Sequence, residues 1–507
     1  MFRIDLRRVI LCLCWPVRRL RCVPEPDRAL GRIAALGLAI AVLLTGGLEA
    51  ADAPPLNRHM AAIAQREVDE QCSVSVQVVD LETGLVLMDR NPHLPLVPAS
   101  TLKLVTSAAA LSVLKPDFTF STEVFADDVR GFSVGNLFLR GTGDPYLVNE
   151  ELFVLTRALR DRGLQEIRGN IVVDESYFIP SQPLDENEKL GHRAYHAPYS
   201  ALSLNFNAVK ILVVPGSRVG QAAQISLDPL SEYATVKGQV STVKGDKAAQ
   251  LTIKKETTPQ DREIIVVDGR IGKAAEVKGR YVNVASPGLY AGEVFKEFLL
   301  REGVKAVGRV VTGTTPASAQ PYYEHSSRPL GIVAYGLNKF SNNFMAEQLC
   351  MALGAKVHGA PGTREKGLSV IRRHLLSCGV PEGEFTLSEA SGLSRNNRLS
   401  AAALVQVLLA ASKDFSYGPE FIASHGVAGV DGTLKEKFAE KDTRRRLRAK
   451  TGTLRGVNAL AGYGLSPDNK RFAFAVIVNS HQKGVGIIDH ADRIARQILE
   501  IPMGKKQ

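Results

Sequence analysis

The feature that most limits how this chain can fold is an interruption. Residues 116–327 read as many short strand-like stretches (118–125, 136–140, 169–174, 209–214, 250–255 and 264–267) broken by Gly, Pro and Asp turns. One helical stretch, 150–163, lies among them. The flanks differ. Val74, Val76 and Val78 alternate with Ser73, Ser75 and Gln77, and the turn Leu81-Glu82-Thr83-Gly84 leads into Leu85-Val86-Leu87-Met88, a hairpin pattern. Near the other end Phe472, Phe474, Val476 and Val478 alternate behind a turn at 466–469, after a strand-like stretch at 457–465. Ile487, Ala491, Ile494, Ile498 and Ile501 then recur at helical spacing, and helical patterns occupy 330–340, 343–353, 367–377 and 400–411. If the first hairpin and the last strands share one sheet, the chain ends close a single domain and the β-rich middle is an insertion. That is an α/β (α+β) architecture, and 507 residues suffice for it.

The first fifty residues have a separate character. Arg3, Arg7, Arg8, Arg18, Arg19, Arg21, Arg28 and Arg32 precede an uncharged apolar stretch at 33–48, followed by Glu49, Ala50 and Ala51. This is the pattern of a secretory signal peptide cut after Ala50, since a later cut would place Pro54 first. A retained anchor is the alternative, although the stretch is short for a span of about 20 residues. Export places the protein in the periplasm or another extracytoplasmic space, with membrane association at most peripheral.

Cys72, Cys350 and Cys378 remain beyond Ala50, an odd count that permits one disulfide at most, and buried free thiols are the simpler reading. No Cys/His cluster has metal-ligand spacing. The formal charge is +11, but the basic residues are scattered apart from the run at 441–450. A nucleic-acid site needs clustered basic and aromatic residues, which are missing, whereas a mildly basic surface suits an anionic cell-wall polymer.

Three short motifs carry chemistry. In Pro98-Ala99-Ser100-Thr101-Leu102-Lys103, Ser100 and Lys103 share one face at a helix start, where free backbone N–H groups can stabilise an oxyanion. A buried, neutral Lys103 can take the serine proton. Ser341-Asn342-Asn343 stands between two helical patterns and can point a hydroxyl and a carboxamide into a cleft. Lys450-Thr451-Gly452-Thr453 enters a strand, where the lysine and two hydroxyls can line a groove and Gly452 can let substrate approach the backbone. Each motif alone has an ordinary explanation in helix caps, turns or exposed strand ends. Their order and combination do not, and Ser-x-x-Lys, Ser-Asp-Asn and Lys-Thr-Gly together mark penicillin-recognising enzymes. Asn342 replaces the middle Asp.

Ser341 lies 241 residues after Ser100, farther than a β-lactamase-sized domain needs. The chain resembles the class C low-molecular-mass penicillin-binding proteins, the D-Ala-D-Ala carboxypeptidase/endopeptidase family, which carry inserted domains at this point. Gly141-Thr142-Gly143-Asp144-Pro145, the stretch 200–207, Ser391-Gly392-Leu393-Ser394-Arg395 and the stretch 428–434 extend the likeness over most of the chain. The resemblance implies a transpeptidase-like domain (51–115 and 328–507) built on a five-stranded-type antiparallel sheet flanked by helices. It also implies β-rich inserts, one at 116–214 with 276–327 and another at 215–275.

The resemblance further implies roles for particular residues. Ser100 is the acylated nucleophile, Lys103 its base, Ser341 a proton shuttle and Asn343 a holder of the substrate amide. Lys450 adds positive potential, Thr451 and Thr453 receive the terminal carboxylate, and the Ser100 and Thr453 amides form the oxyanion hole. Asp174 with Phe178, and Arg395, stand where some family members contact a zwitterionic side chain. A turn role for Asp174 is the equal alternative, and Arg455 could add a further carboxylate contact. Peptidoglycan peptides are the implied substrates and β-lactams the covalent inhibitors, with no cofactor. The rivals are a serine β-lactamase, a non-enzymatic cell-wall-binding protein and a Ser-His-Asp hydrolase using Gly131-Phe132-Ser133-Val134-Gly135. The last pattern needs a following helix, and 136–140 reads as a strand.

Overall fold

The computed structural model describes residues 72–179, 193–277, 279–481 and 489–503. The expected signal peptide, and Ile487 of the last helical pattern, lie outside them.

The two ends of the chain do meet in one sheet. Cys72–Asp80 (β1) pairs with Val86–Arg90 (β2) on one side and antiparallel with Arg471–Ser480 (β6) on the other. Gly426–Val427 (β3), Leu447–Leu454 (β4) and Val457–Leu465 (β5) complete an antiparallel sheet in the order β2-β1-β6-β5-β4-β3. Six strands stand where five were expected, because a two-residue strand joins the β4 edge.

Alternation in β1 predicted one buried face, yet both are covered. Val74, Val76 and Val78 pack with Phe472, Phe474 and the C-terminal helix His490–Leu499. Ser75 and Gln77 are also buried. The Ser75 hydroxyl is satisfied by donating to Asn91 O at 2.9 Å and accepting from Ala401 N at 3.0 Å. The opposite face of β5 and β6 presents Ala459, Ala461, Ala473 and Ala475 to the helices, small side chains that let the helix layer approach closely.

Four helices in that layer matter for function: Leu102–Leu114 (α1), Leu330–Phe340 (α2), Asn343–His358 (α3) and Ala401–Lys413 (α4). α1 has no acidic residue and is buried on all sides from Leu102 to Leu111, as expected of a helix that is apolar all round. It is the central rod of the domain, so its first turn is held rigidly.

The insertion is β-rich as expected. Its largest sheet is mixed, Val310–Thr312, Ile171–Asp174, Leu137–Gly141, Ser121–Ala126 and Gln320–Ser326 in spatial order. Two helices pack with it, Asn149–Asp161 and Pro287–Arg301. The second was not anticipated. Pro287 and Gly288 read as a turn, but Pro at a helix start is favourable, and Leu289, Tyr290, Val294, Phe295 and Leu299 bury one face. Gln224–Asp228 pairs with Ala208–Val214 across position 215, and Tyr233, Val240, Ile265 and Ile271 share one apolar cluster with Val209, Ile211 and Phe295. Ser133–Val134 is a short strand and the element after it is the strand Leu137–Gly141, so no helix follows Ser133 and 131–135 is no nucleophile elbow. Cys72, Cys350 and Cys378 are free thiols.

Candidate active site

Ser100 lies in the 3-10 turn Ala99–Thr101, immediately before α1. Lys103, one turn on, is fully buried, and its Nζ lies 2.9 Å from Ser100 Oγ, 2.7 Å from Asn343 Oδ1 and 2.5 Å from Ser391 O. Burial lowers the Lys103 pKa to about 8, although Glu389 and Glu347 pull it upward. Three sequence-distant segments, at 100–103, 343 and 391, thus converge on one amine.

Ser341 is the hinge between α2 and α3, in the left-handed region with φ 58°. A serine in that conformation is strained, and such positions concentrate at functional sites. Its hydroxyl accepts from Lys450 Nζ at 2.8 Å, and the same ammonium donates to Thr451 O at 2.7 Å. Lys450 is fully buried, and burial together with the Lys103 charge pushes its pKa well below that of an ordinary lysine. The middle residue of the motif, Asn342, caps α3 by accepting from Met345 N at 3.1 Å. Asn serves that purpose as well as Asp, which accounts for the departure noted above.

The register of β4 decides what the third motif offers. Leu454 and Val457 close a hairpin, and a pair this near the turn must exchange both backbone bonds. Because such pairs alternate along a ladder, Lys450, Gly452 and Leu454 bond inward to β5, while the backbone groups of Thr451 and Thr453 point outward. β3 covers that edge only at Arg448 and Ala449. Beyond them β4 has no partner strand and turns the Thr451 and Thr453 backbone outward, a template for an extended peptide, although the Thr451 carbonyl already accepts from Lys450. Thr453 is exposed, and Thr451 Oγ1 donates to Thr433 Oγ1 at 2.8 Å. Gly452 also has a structural reason. A Cβ there would stand 2.8 Å from Pro98 O and 3.2 Å from Ala99 Cβ, so glycine lets the Ser100 turn seat against the strand.

The expected specificity residues are placed less centrally. Asp174 ends its strand, buried, with Oδ1 accepting from Ser176 N at 2.9 Å and Oδ2 from Thr315 N at 2.7 Å. Burial raises its pKa, but those donors win and hold it below the usual carboxylate value. This is the turn role. Phe178 is buried, its ring filling the space that a side chain at position 143 would need. Arg395 is exposed and donates to Arg455 O at 2.5 Å, so two guanidinium-bearing residues meet beside the β4–β5 turn. A cavity of about 490 Å3 opens from Ser341, Asn342 and Asn343 toward Lys210, Asp228 and Tyr281 of the insertion.

Sequence reasoning missed a carboxyl pair beneath Lys103. Glu347 Oε1 accepts from Ala390 N at 2.7 Å and Ser391 N at 2.8 Å. Glu389 accepts from Ser391 N at 2.9 Å, Gly392 N at 2.6 Å, and the side chains of Ser391 and Asn397. Both are buried. Burial and the Glu389 charge raise the Glu347 pKa, whereas for Glu389 burial is outweighed by hydrogen bonds from Glu347 and Ser391 and by the Lys103 charge. Glu347 is therefore the more easily protonated of the two, and Glu389 holds its negative charge more firmly. The pair also clamps the loop whose Ser391 carbonyl receives Lys103. The available signal was the Asn343-to-Glu347 spacing of four on one helix face.

A serine beside a buried lysine, a second hydroxyl–lysine pair and an open strand edge, on a helix-flanked antiparallel sheet, define a penicillin-recognising serine hydrolase. The sequence model of the D-Ala-D-Ala carboxypeptidase 3 (S13) family matches residues 56–498, and the chain belongs to that family. A D-alanyl-D-alanine carboxypeptidase of Actinomadura sp. (strain R39) is 32% identical over 465 residues, covering 88% of this chain and 84% of the relative. The D-alanyl-D-alanine carboxypeptidase DacB of Haemophilus influenzae is 25% identical over 440 residues, 84% of this chain and 89% of the relative. The crystal structure of penicillin binding protein 4 (dacB) from Haemophilus influenzae shares the fold, with a TM-score of 0.73 at 23% identity over 87% of this chain and 98% of that one.

Proposed function

We propose that this D-Ala-D-Ala carboxypeptidase-family enzyme works through an acyl-enzyme on Ser100, with Lys103 as the base that generates it. The observation that carries the reading is Lys103 Nζ, buried, 2.9 Å from Ser100 Oγ and with a pKa of about 8. At pH 7 about a tenth of such an amine is neutral, enough for a general base. Ser100 Oγ attacks the carbonyl between two D-alanines, and its proton passes to Lys103. The oxyanion is held by the Ser100 and Thr453 amides. Collapse breaks the C–N bond, Ser341, bonded to Lys450, delivers a proton to the leaving amine, and the proton held by Lys103 replaces it on Ser341, leaving Lys103 neutral. Water then attacks the ester, its proton passing to Lys103 and from there to Ser100 Oγ as the acyl–oxygen bond breaks. Asn343 orients the substrate amide and the Thr451 and Thr453 hydroxyls take the terminal carboxylate.

Peptidoglycan stem peptides are the proposed substrates and the space outside the cytoplasmic membrane the proposed location. Arg395 and Arg455 bind outlying substrate carboxylates, while Asp174 and Phe178 shape the insertion wall. The peptidase domain comprises 51–115 with 328–507, the inserts 116–214 with 276–327 and 215–275, and the cavity between Ser341 and Lys210 receives substrate beyond the terminal dipeptide.

Fluorescent penicillin tests the reading. The wild type should be labelled covalently and Ser100→Ala should not. Folded wild-type protein that takes no label would overturn it. Digestion of purified peptidoglycan, with identification of the fragments, separates terminal trimming from cross-link cleavage.

A further inference from the structure

The basic run at 441–450 has no part in the acyl-transfer chemistry except for Lys450. Its arginines instead reach a second cavity, of about 370 Å3, on the helix side of the sheet. Arg445, Arg446 and Arg448 line it together with Arg471 and Lys413, five cations and no carboxylate. Among the described residues none of the five has an ion-pair partner, although acids are near in sequence. Arg446 is instead fixed by donating to Leu465 O at 3.0 Å and Asp442 O at 3.2 Å. The floor is apolar, with Ile422 and Tyr463. A folded protein normally scatters or pairs such charges, so five uncompensated ones around one hollow are an anion-binding surface.

Two exposed apolar residues lie within a few positions of the lining in sequence. Phe415, two residues beyond Lys413, is 92% exposed. Leu85 is 64% exposed, in the β1–β2 turn whose Leu81 lines the cavity. Asp414, between Lys413 and Phe415, turns back to accept from Ser416 N at 2.8 Å. A soluble anion would need the cations alone. A phenyl ring held in water gains nothing from a phosphate, but it gains from the interfacial layer of a bilayer.

We propose that this face docks the protein on a membrane surface rich in anionic phospholipid, the five cations against lipid phosphates and Phe415 with Leu85 in the interfacial layer. No helix of the described residues is long and apolar enough to cross a membrane, and this docking uses the surface of the folded domain alone. It is independent of the acyl-enzyme chemistry.

Sedimentation with vesicles tests it, phosphatidylcholine alone reporting whatever the N-terminal segment contributes. Added phosphatidylglycerol should increase binding at low salt, and high salt should reverse the increase. Arg445→Glu with Arg448→Glu and Arg471→Glu should weaken the anion-dependent part by more than about a hundredfold. Phe415→Ser should weaken it roughly tenfold. Both variants should still take fluorescent penicillin, which reports their folding. No gain from phosphatidylglycerol in the wild type overturns the proposal without using any variant. So does a charge-reversed protein that binds like the wild type. Loss on charge reversal but full binding by Phe415→Ser, with displacement by polyphosphate, would assign the surface to a soluble polyanion and overturn the lipid.

Discussion

Acylation should follow the neutral fraction of Lys103. Its pKa of about 8 is depressed by burial and partly restored by the carboxyl pair below it. Lowering a lysine pKa enlarges the neutral population at a given pH, so the rate rises as pH rises through the folded value. About a tenth of Lys103 is neutral at pH 7 and about nine tenths at pH 9, so second-order acylation by penicillin should increase roughly tenfold over that interval. Both carboxyls pull the Lys103 pKa upward, Glu389 more than Glu347, so Glu347→Gln should lower the midpoint less than Glu389→Gln does. The double variant Glu347→Gln with Glu389→Gln removes the charge wherever it resides and should move the midpoint to lower pH. Stopped-flow labelling between pH 6 and 10 reads both quantities. A flat profile in the wild type, or a midpoint that rises in the double variant, would refute the reasoning. A merely structural role for the pair would reduce the rate without moving the midpoint.

Other consequences are equally direct. Lys103→Ala should cut acylation by about 10²–10⁴-fold, measured on protein whose circular dichroism is unchanged. Asn342→Ala should cost about 1 kcal/mol in denaturant titration through the lost helix cap, with acylation per folded molecule nearly constant. Gly452→Ala should slow labelling by displacing the Ser100 turn from Pro98 O, and a wild-type rate would discount that contact. Asp144 is buried, and burial, aided by the Glu151 charge and opposed by the Tyr146 amide, raises its pKa to about 7. Its neutral form favours the folded state at low pH, and that stability is lost as pH rises through about 7. Asp144→Asn should therefore raise the melting temperature more at pH 8 than at pH 5.

The nucleophile, its lysine and the elements bearing them were legible because they depend on local periodicity. Ser100 and Lys103 lie one helical turn apart, and alternation placed 72–88 and 457–478 in strands. The same periodicity marked the helix boundaries at 330–340. It failed at Pro287–Arg301, where Pro and Gly at the helix start imitate a turn. It also under-read β1, whose polar positions are buried because a second layer supplies their hydrogen bonds.

The sequence by itself determined which groups react and that the chain ends build the domain holding them. Only the tertiary structure decided how those groups are tuned. Lys103 owes its lowered pKa to burial, opposed by the carboxyl pair of α3 and the 389–391 loop, Gly452 its necessity to the Ser100 turn, and Thr453 its outward amide to the β4–β5 register. The physical reason is range. Covalent spacing fixes which side chains share a face, but desolvation, charge and close approach depend on segments that meet only when the core closes.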